Sequence, residues 1–237
     1  MKHTGMTWRS AARTDMGKVR TRNEDAVLDR PQQGLWAVAD GMGGHSRGDL
    51  ASLRLVSRLG ALPAQTDFES RLQAVRESLH DTHHRLIADS AGTVSGSTVV
   101  VLILEGQQGA CIWAGDSRCY LWREQRLYQL SRDHSFARQL MEQEHMSPGQ
   151  AMAHPDARAL TRAVGAGERF TLDILAFAVQ PGDVFLLCSD GLYQDLSPKA
   201  LGQAMNEDAP HTCLARLFDA VLAGEARDNL SAVVIAQ

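Results

Sequence analysis

An α+β fold with antiparallel strand pairing is what this chain of 237 residues predicts. Two helical patterns follow one another early, strand-like runs then succeed each other from residue 98 to residue 130, and no regular β-α-β-α alternation is present. A doubly wound parallel sheet needs that alternation, because parallel neighbours require a long crossover while antiparallel neighbours join through short turns.

In chain order, a short strand signal at 26–28 follows a run of charges. The next apolar run, 35–39, ends in Asp40 and passes into three glycines among four residues. Segments 50–62 and 68–88 have helical patterns. In the second, Leu72, Val75, Leu79 and Leu86 recur at helical spacings and predict one buried stripe. Runs at 98–104, 110–114 and 119–122 are rich in Val, Ile, Leu and aromatic residues and are read as strands. A helix over 136–144 precedes Ser147-Pro148-Gly149-Gln150, a capping box with Pro at its first helical position that opens another short helix. Strand signals return at 174–179, 184–188 and 232–236, with helical patterns at 198–205 and 212–223 between the last two. Residues 135–165, poor in strand signals, are expected to form a surface insertion.

Composition narrows the function classes. A chain with 44% hydrophobic residues buries a large core, and its length fits one domain spanning 1–237. The net charge of −4, with Lys and Arg scattered, argues against nucleic acid as a partner. The segment MKHTGMTWRS has no apolar signal region, and the longest apolar run, Val99 to Leu104, is far too short to span a membrane. A cytoplasmic monomer without a membrane partner is therefore expected. Cys111, Cys119, Cys188 and Cys213 include no C-x-x-C pair, so they are expected to be reduced, packed thiols.

The chemistry-bearing pattern is a set of aspartates beside apolar runs. Asp40 follows "WAVA", Asp116 follows "CIWAG", Asp190 follows "VFLLCS", and Asp228 precedes "NLSAVVIA". One Asp-Gly step reads best as a turn. Four such sites, brought side by side by neighbouring strands, would place clustered carboxylates at one edge of the core. Such a cluster needs protons or cations, and an all-oxygen donor set favours hard ions such as Mg2+ or Mn2+. Arg20, Arg22, Glu24 and Asp25 lie just upstream, where an arginine fork suits a phosphate and a carboxylate suits ordered water.

Taken together and in order, "RTRNEDA", "VADGMGGHSRGDLAS", "SGSTVV", "WAGDSRCYLW", "LSRDHSF", "HPDARALTRAVG", "GDVFLLCSDGLYQDL" and "ARDNLSAVVI" resemble the bacterial branch of the protein phosphatase 2C family, metal-dependent serine/threonine phosphatases. The resemblance runs from Arg13 to Ile235. It implies an α-β-β-α sandwich of two antiparallel β-sheets flanked by helices, with two Mn2+ or Mg2+ ions at one end. It makes Asp40 the carboxylate bridging both ions and places the Gly41 carbonyl on the second. Asp190 and Asp228 complete the first ion's protein ligands, and Asp25 holds its water, with Glu24 as a helper. Asp116 with Asp190 matches a third, weaker metal site, and Arg20 matches the phosphate-clamping arginine. Direct attack of activated water on phosphorus would follow, with no phosphoenzyme. Met42 stands where eukaryotic members carry a histidine, so His45 or water is expected to protonate the leaving group. Asn229 is expected to buttress the site. The implied partners are phosphorylated proteins and a serine/threonine kinase whose action is reversed. Residues 135–165 would be a mobile flap, with Gly149 and Gly165 as hinges.

Rival readings fail on their own chemistry. A cysteine phosphatase needs an arginine six residues after its nucleophile, and Ser117, Gln125, Gln194 and Asp219 occupy those positions. Asp40 lacks the D-x-D pattern of haloacid-dehalogenase-like enzymes, and the third glycine of a dinucleotide loop would fall at Ser46. His80, His83 and His84 are read as helix residues beside a buried stripe rather than zinc ligands. His134 and His154 are read as shaping the site. The alternative on the same fold is a non-catalytic phosphoprotein-binding module, whose feature would be a lost aspartate.

Overall fold

The computed structural model describes residues 7–43, 48–65, 67–89 and 95–237. Strand β1 (Arg9–Asp15) opens the described chain, followed by β2 (Asp25–Arg30) and β3 (Leu35–Met42). Helices α1 (Gly48–Gly60) and α2 (Phe68–Asp89) come next. Strands β4 (Gly96–Ser97), β5 (Val99–Glu105), β6 (Gln108–Ala114), β7 (Arg118–Arg123) and β8 (Arg126–Gln129) then run in succession. After α3 (Phe136–Gln143) and α4 (Pro148–Met152) come β9 (Asp173–Ala178) and β10 (Val184–Cys188). The chain ends with α5 (Asp190–Tyr193), α6 (Pro198–Met205), α7 (Pro210–Ala223) and β11 (Leu230–Ala236).

The strands form two sheets, ordered β1-β11-β10-β7-β8 and β2-β3-β5-β6-β9, with β4 attached to β3. Every strand pairing in them is antiparallel, as the uninterrupted run of strands predicts.

Period-two alternation assigns each strand residue to a layer. On β3, Trp36 and Val38 join Val100, Leu102, Phe185, Leu187, Val233 and Ile235 between the sheets. The alternate residues Leu35, Ala37 and Ala39 pack against Ala51, Leu55 and Leu59 of α1 and Val75 and Leu79 of α2. On the other sheet, Leu186, Cys188, Ala232 and Val234 meet Leu201, Met205, Leu217 and Phe218 of α6 and α7. Both faces of the central strands are therefore buried, which is why they read as continuous apolar runs. Each fully buried Leu, Ile or Phe side chain contributes about 1.5–3 kcal/mol by leaving water.

The structure alters four expectations. Strand β1 has no apolar run, yet it pairs residue by residue with β11 from Arg9↔Ala236 to Asp15↔Leu230. Asp40 lies inside β3 rather than beyond its end, because the extended backbone continues to Met42. Asp190 opens a four-residue helix, so the apolar run before it turns directly into helix. Gly165, expected to be a hinge, has φ +85° and is held closely, since a Cβ there would lie 2.6 Å from the Ser95 carbonyl oxygen. Residues 135–157 carry a small core of their own, Ala137, Leu140, Ala151 and Ala157. The capping box at Ser147 and Gln150 forms as expected.

Candidate active site

The face of β3 that carries Trp36 and Val38 between the sheets next presents Asp40. The inter-sheet layer therefore changes from aromatic and aliphatic side chains to carboxylate within two residues. Asp25 sits opposite Asp40 in the β2–β3 ladder. Like charges directly opposite in a sheet destabilise it. Asp190 enters from the other sheet at the start of α5, and its carboxyl is within hydrogen-bonding reach of Asp40. Asp116 arrives on the turn between β6 and β7, and Asp228 on the approach to β11.

The electrostatics follow from this crowding. Burial, then the charges of Asp25, Asp190, Asp116 and Asp228, hold the Asp40 carboxyl well above the ordinary carboxylate range. Burial and then Asp190 push Asp116 up to about 7. Asp25 rises to about 6 through burial, opposed by hydrogen bonds from Ser231 and Ser189. Asp190 is raised by burial and by Asp228, and Glu24 by burial and by Asp49. Four elements thus deliver carboxylates that resist shedding their protons together.

Surrounding groups fix these side chains. Ser189 Oγ donates to Asp25 Oδ2 at 2.7 Å, while Asp25 Oδ1 is buried with no hydrogen-bond partner among the described residues. Gln194 Nε2 donates to Asp190 Oδ2 at 2.6 Å. Arg20 Nη2 donates to Asp228 Oδ2 at 2.7 Å, which raises the arginine pKa further. The Arg20 side chain is 53% exposed, so its planar fork stands at the solvent rim. Asn229 ties three segments together, accepting the Glu24 N–H at 2.9 Å and donating to the Met16 and Arg22 carbonyls at 2.9 Å each. It occupies the buttress position expected of it. Gly41 is needed for close approach, since a Cβ there would lie 2.1 Å from the Gly48 carbonyl oxygen and 2.6 Å from that of Glu24.

Asp25, Asp40, Asp116, Asp190 and Asp228 are thus gathered at one end of the inter-sheet layer, with Arg20 at its rim and Gly41 in the backbone beneath. His45 lies outside the described residues. Two participants were not singled out in the sequence. Tyr193 donates its hydroxyl to the Asp116 carbonyl at 3.1 Å, and the Arg118 guanidinium stacks 3.6 Å over the Tyr193 ring while paired to Asp133. The "GDSR" and "SDGLY" motifs contain both residues, but only their packing gives the connection. His134, expected to shape the site, does so through the β6–β7 turn, because its Nδ1 accepts the Gly115 N–H at 3.2 Å. His154 caps its own turn by accepting the Asp156 N–H at 3.1 Å.

The donor set suits hard cations. It consists of carboxylate and carbonyl oxygens, includes the orphaned Asp25 oxygen, and carries raised pKa values that added positive charge would relieve. Among the described residues, no three His, Cys, Asp or Glu side chains form a ready-made cage around one ion. Hydrated divalent ions need no such cage, since one or two carboxylates and several waters suffice for each.

Two facing antiparallel sheets with helices on both outer faces, closed at one end by aspartates, assign the chain to the α-β-β-α sandwich class. A family model described as protein phosphatase 2C matches residues 17–233, and the chain belongs to that family. Over 99% of its length it is 31% identical to the serine/threonine protein phosphatase PstP of Mycobacterium tuberculosis, and it spans 46% of that relative's length. The solved structure of PppA, described as a key regulatory component of the T6SS in Pseudomonas aeruginosa, is 39% identical and superposes with a TM-score of 0.90, covering 98% of each chain. The catalytic domain of PstP in complex with two manganese ions is 30% identical, with a TM-score of 0.83 and 97% of each chain covered.

Proposed function

We propose that this chain is a Mn2+- or Mg2+-dependent serine/threonine phosphoprotein phosphatase. The observation that carries the reading is the convergence of Asp25, Asp40, Asp116 and Asp190, each with a raised pKa, on the same end of the layer as Asp228 and Arg20. Membership of the protein phosphatase 2C family and the likeness to a two-manganese structure support it. No expected aspartate is lost, which weighs against a purely binding role.

Asp40, the Gly41 carbonyl, Asp190 and Asp228 would hold the two ions. Asp25 is assigned to ordered water, and Asp116 with Asp190 to a weaker third ion. When bound, the ions supply Lewis acidity and counter-charge for an in-line attack by water on phosphorus. The chain's own residues do the remaining work. Arg20 orients the phosphate through its planar fork, which has five donors and spends one on Asp228. The rim position of Arg20 lets a protein-bound phosphate reach it while the apolar inter-sheet layer excludes water behind the carboxylates. His45 or a water molecule gives the leaving serine or threonine oxygen its proton, since the Met42 thioether has none to give.

The substrates in this reading are phosphorylated proteins, and the partner is the serine/threonine kinase that is opposed, in the cytoplasm. The described residues include no helix long and apolar enough to cross a membrane. The deciding experiment uses chelator-stripped protein and a phosphothreonine peptide. Phosphate release is expected to return on adding Mn2+ or Mg2+; phosphopeptide binding without metal-dependent release would replace the enzyme with a binding module.

A further inference from the structure

We infer that Thr98 is a positioning residue that locks the Asp40 end of β3 against the turn carrying Asp116, an inference resting on the proposed role of Asp40 as a metal ligand. The β3–β5 ladder runs in register from Leu35↔Ile103 to Val38↔Val100. Two residues further, where Asp40 faces Thr98, its pattern changes. The Thr98 N–H still donates to the Asp40 carbonyl at 2.8 Å. The Asp40 N–H, however, donates to Thr98 Oγ1 at 3.1 Å, a side-chain hydroxyl in place of a ladder carbonyl. β4 and β5 are separate strands for this reason, with Thr98 the single residue between them.

The same hydroxyl lies 2.7 Å from Ser117 Oγ, next to Asp116. The Thr98 methyl occupies the other side of the turn, where a Cβ on Gly115 would come within 2.7 Å of Thr98 Cγ2 and 2.6 Å of its Cβ. Thr98 and Ser117 are 2% and 1% exposed, so neither hydroxyl exchanges these partners for bulk water. Hydroxyl and methyl on one β-carbon thus grip two backbones that arrive from different connections, one holding Asp40 and the other Asp116. Ser97 adds to the grip, its Oγ standing 3.0 Å from the Asp40 carbonyl and 2.7 Å from that of Thr98.

Carboxylates that must share cations work only at fixed separations, and partners behind the ligands set those separations. Threonine is the side chain that supplies both contacts. Valine retains the methyl without the hydroxyl, and serine the reverse.

The test measures Mn2+ binding to chelator-stripped protein by calorimetry, together with kcat and KM on a phosphothreonine peptide, for wild type, Thr98→Val and Thr98→Ser. Thr98→Val is expected to weaken Mn2+ binding about 10- to 100-fold, as loss of a partner behind a ligand does, and to lower kcat more than KM changes at saturating Mn2+. Thr98→Ser is expected to recover most of the metal affinity. Wild-type affinity and kcat in Thr98→Val, or equal losses in both variants, would overturn the inference while the wild-type enzyme still turned over with Mn2+. A wild-type chain without Mn2+-dependent turnover would overturn the metal reading and this inference with it. Should Thr98→Val not fold, Ser117→Ala removes the far end of the hydroxyl pair alone. It is expected to weaken Mn2+ binding in the same direction, and unchanged affinity there would overturn the inference.

Discussion

At the scale of single residues, the site is a problem of like charges held apart from water. Asp40 has the most direct exposure to that problem, since Asp25 faces it across the ladder and Asp190 reaches it from the other sheet. Asp40→Asn is expected to reduce turnover by more than the ~100-fold seen for partners behind a metal ligand, with the fold kept as judged by circular dichroism. Arg20→Ala is expected to raise KM for a phosphopeptide with a smaller change in kcat, since the guanidinium is assigned to binding. Asp116 gives a pH prediction. Its folded pKa is raised to about 7, so the folded state holds the proton more tightly than the unfolded chain. The associated stability is present at low pH and is lost as pH rises through about 7. In chelator-stripped protein, Asp116→Asn should therefore gain about 1 kcal/mol relative to wild type between pH 6 and pH 8, measured by denaturant unfolding. A constant difference across that range would contradict the assignment.

At the scale of elements, the segment expected to be a flap is anchored at its exit. Val164 exchanges backbone hydrogen bonds with Ser97 of β4, 2.9 Å in each direction, and the next residue, Gly165, donates its N–H to His83 Nδ1 on α2 at 3.0 Å. His83 is fully buried and stacked on Phe170, with ring centroids 4.5 Å apart. Burial, then His84, lowers its pKa and keeps the imidazole neutral, with Nδ1 free to accept. The helical histidine is thus an anchor, consistent with reading it as part of the helix rather than as a zinc ligand. His83→Phe preserves the ring but removes the acceptor, leaving the Gly165 N–H unpaired. It is expected to destabilise the protein by about 1–3 kcal/mol in thermal unfolding.

At the scale of the whole molecule, the two sheets act as a clamp whose apolar layer ends in acid. The strands are held by the core, and the aspartates ride on their ends with little freedom to separate. Counter-ions should therefore stabilise the entire fold. Mn2+ at about 100 times its dissociation constant is expected to add about 2.7 kcal/mol to unfolding stability, read as a rise in melting temperature that chelator reverses. Asp40→Asn should lose most of that rise, and an equal rise in the variant would place the ion elsewhere.

The sequence by itself determined that both faces of β3, β5, β10 and β11 are buried over most of their length, because runs of consecutive apolar residues leave no face for water. It determined the helices of the outer layers through their apolar stripes, and it marked Asp40, Asp116, Asp190 and Asp228 through their places beside those runs. Local pattern was sufficient there because burial acts residue by residue. Only the tertiary structure decided that β1, with no apolar run, is a strand, since the backbone of β11 supplies its hydrogen bonds. The same holds for Asp25 facing Asp40, the Arg20–Asp228 pair, Tyr193 on the Asp116 carbonyl and Thr98 between two aspartate-bearing segments. Each joins residues distant in the chain, and their distances are set by sheet register and packing rather than by any local preference.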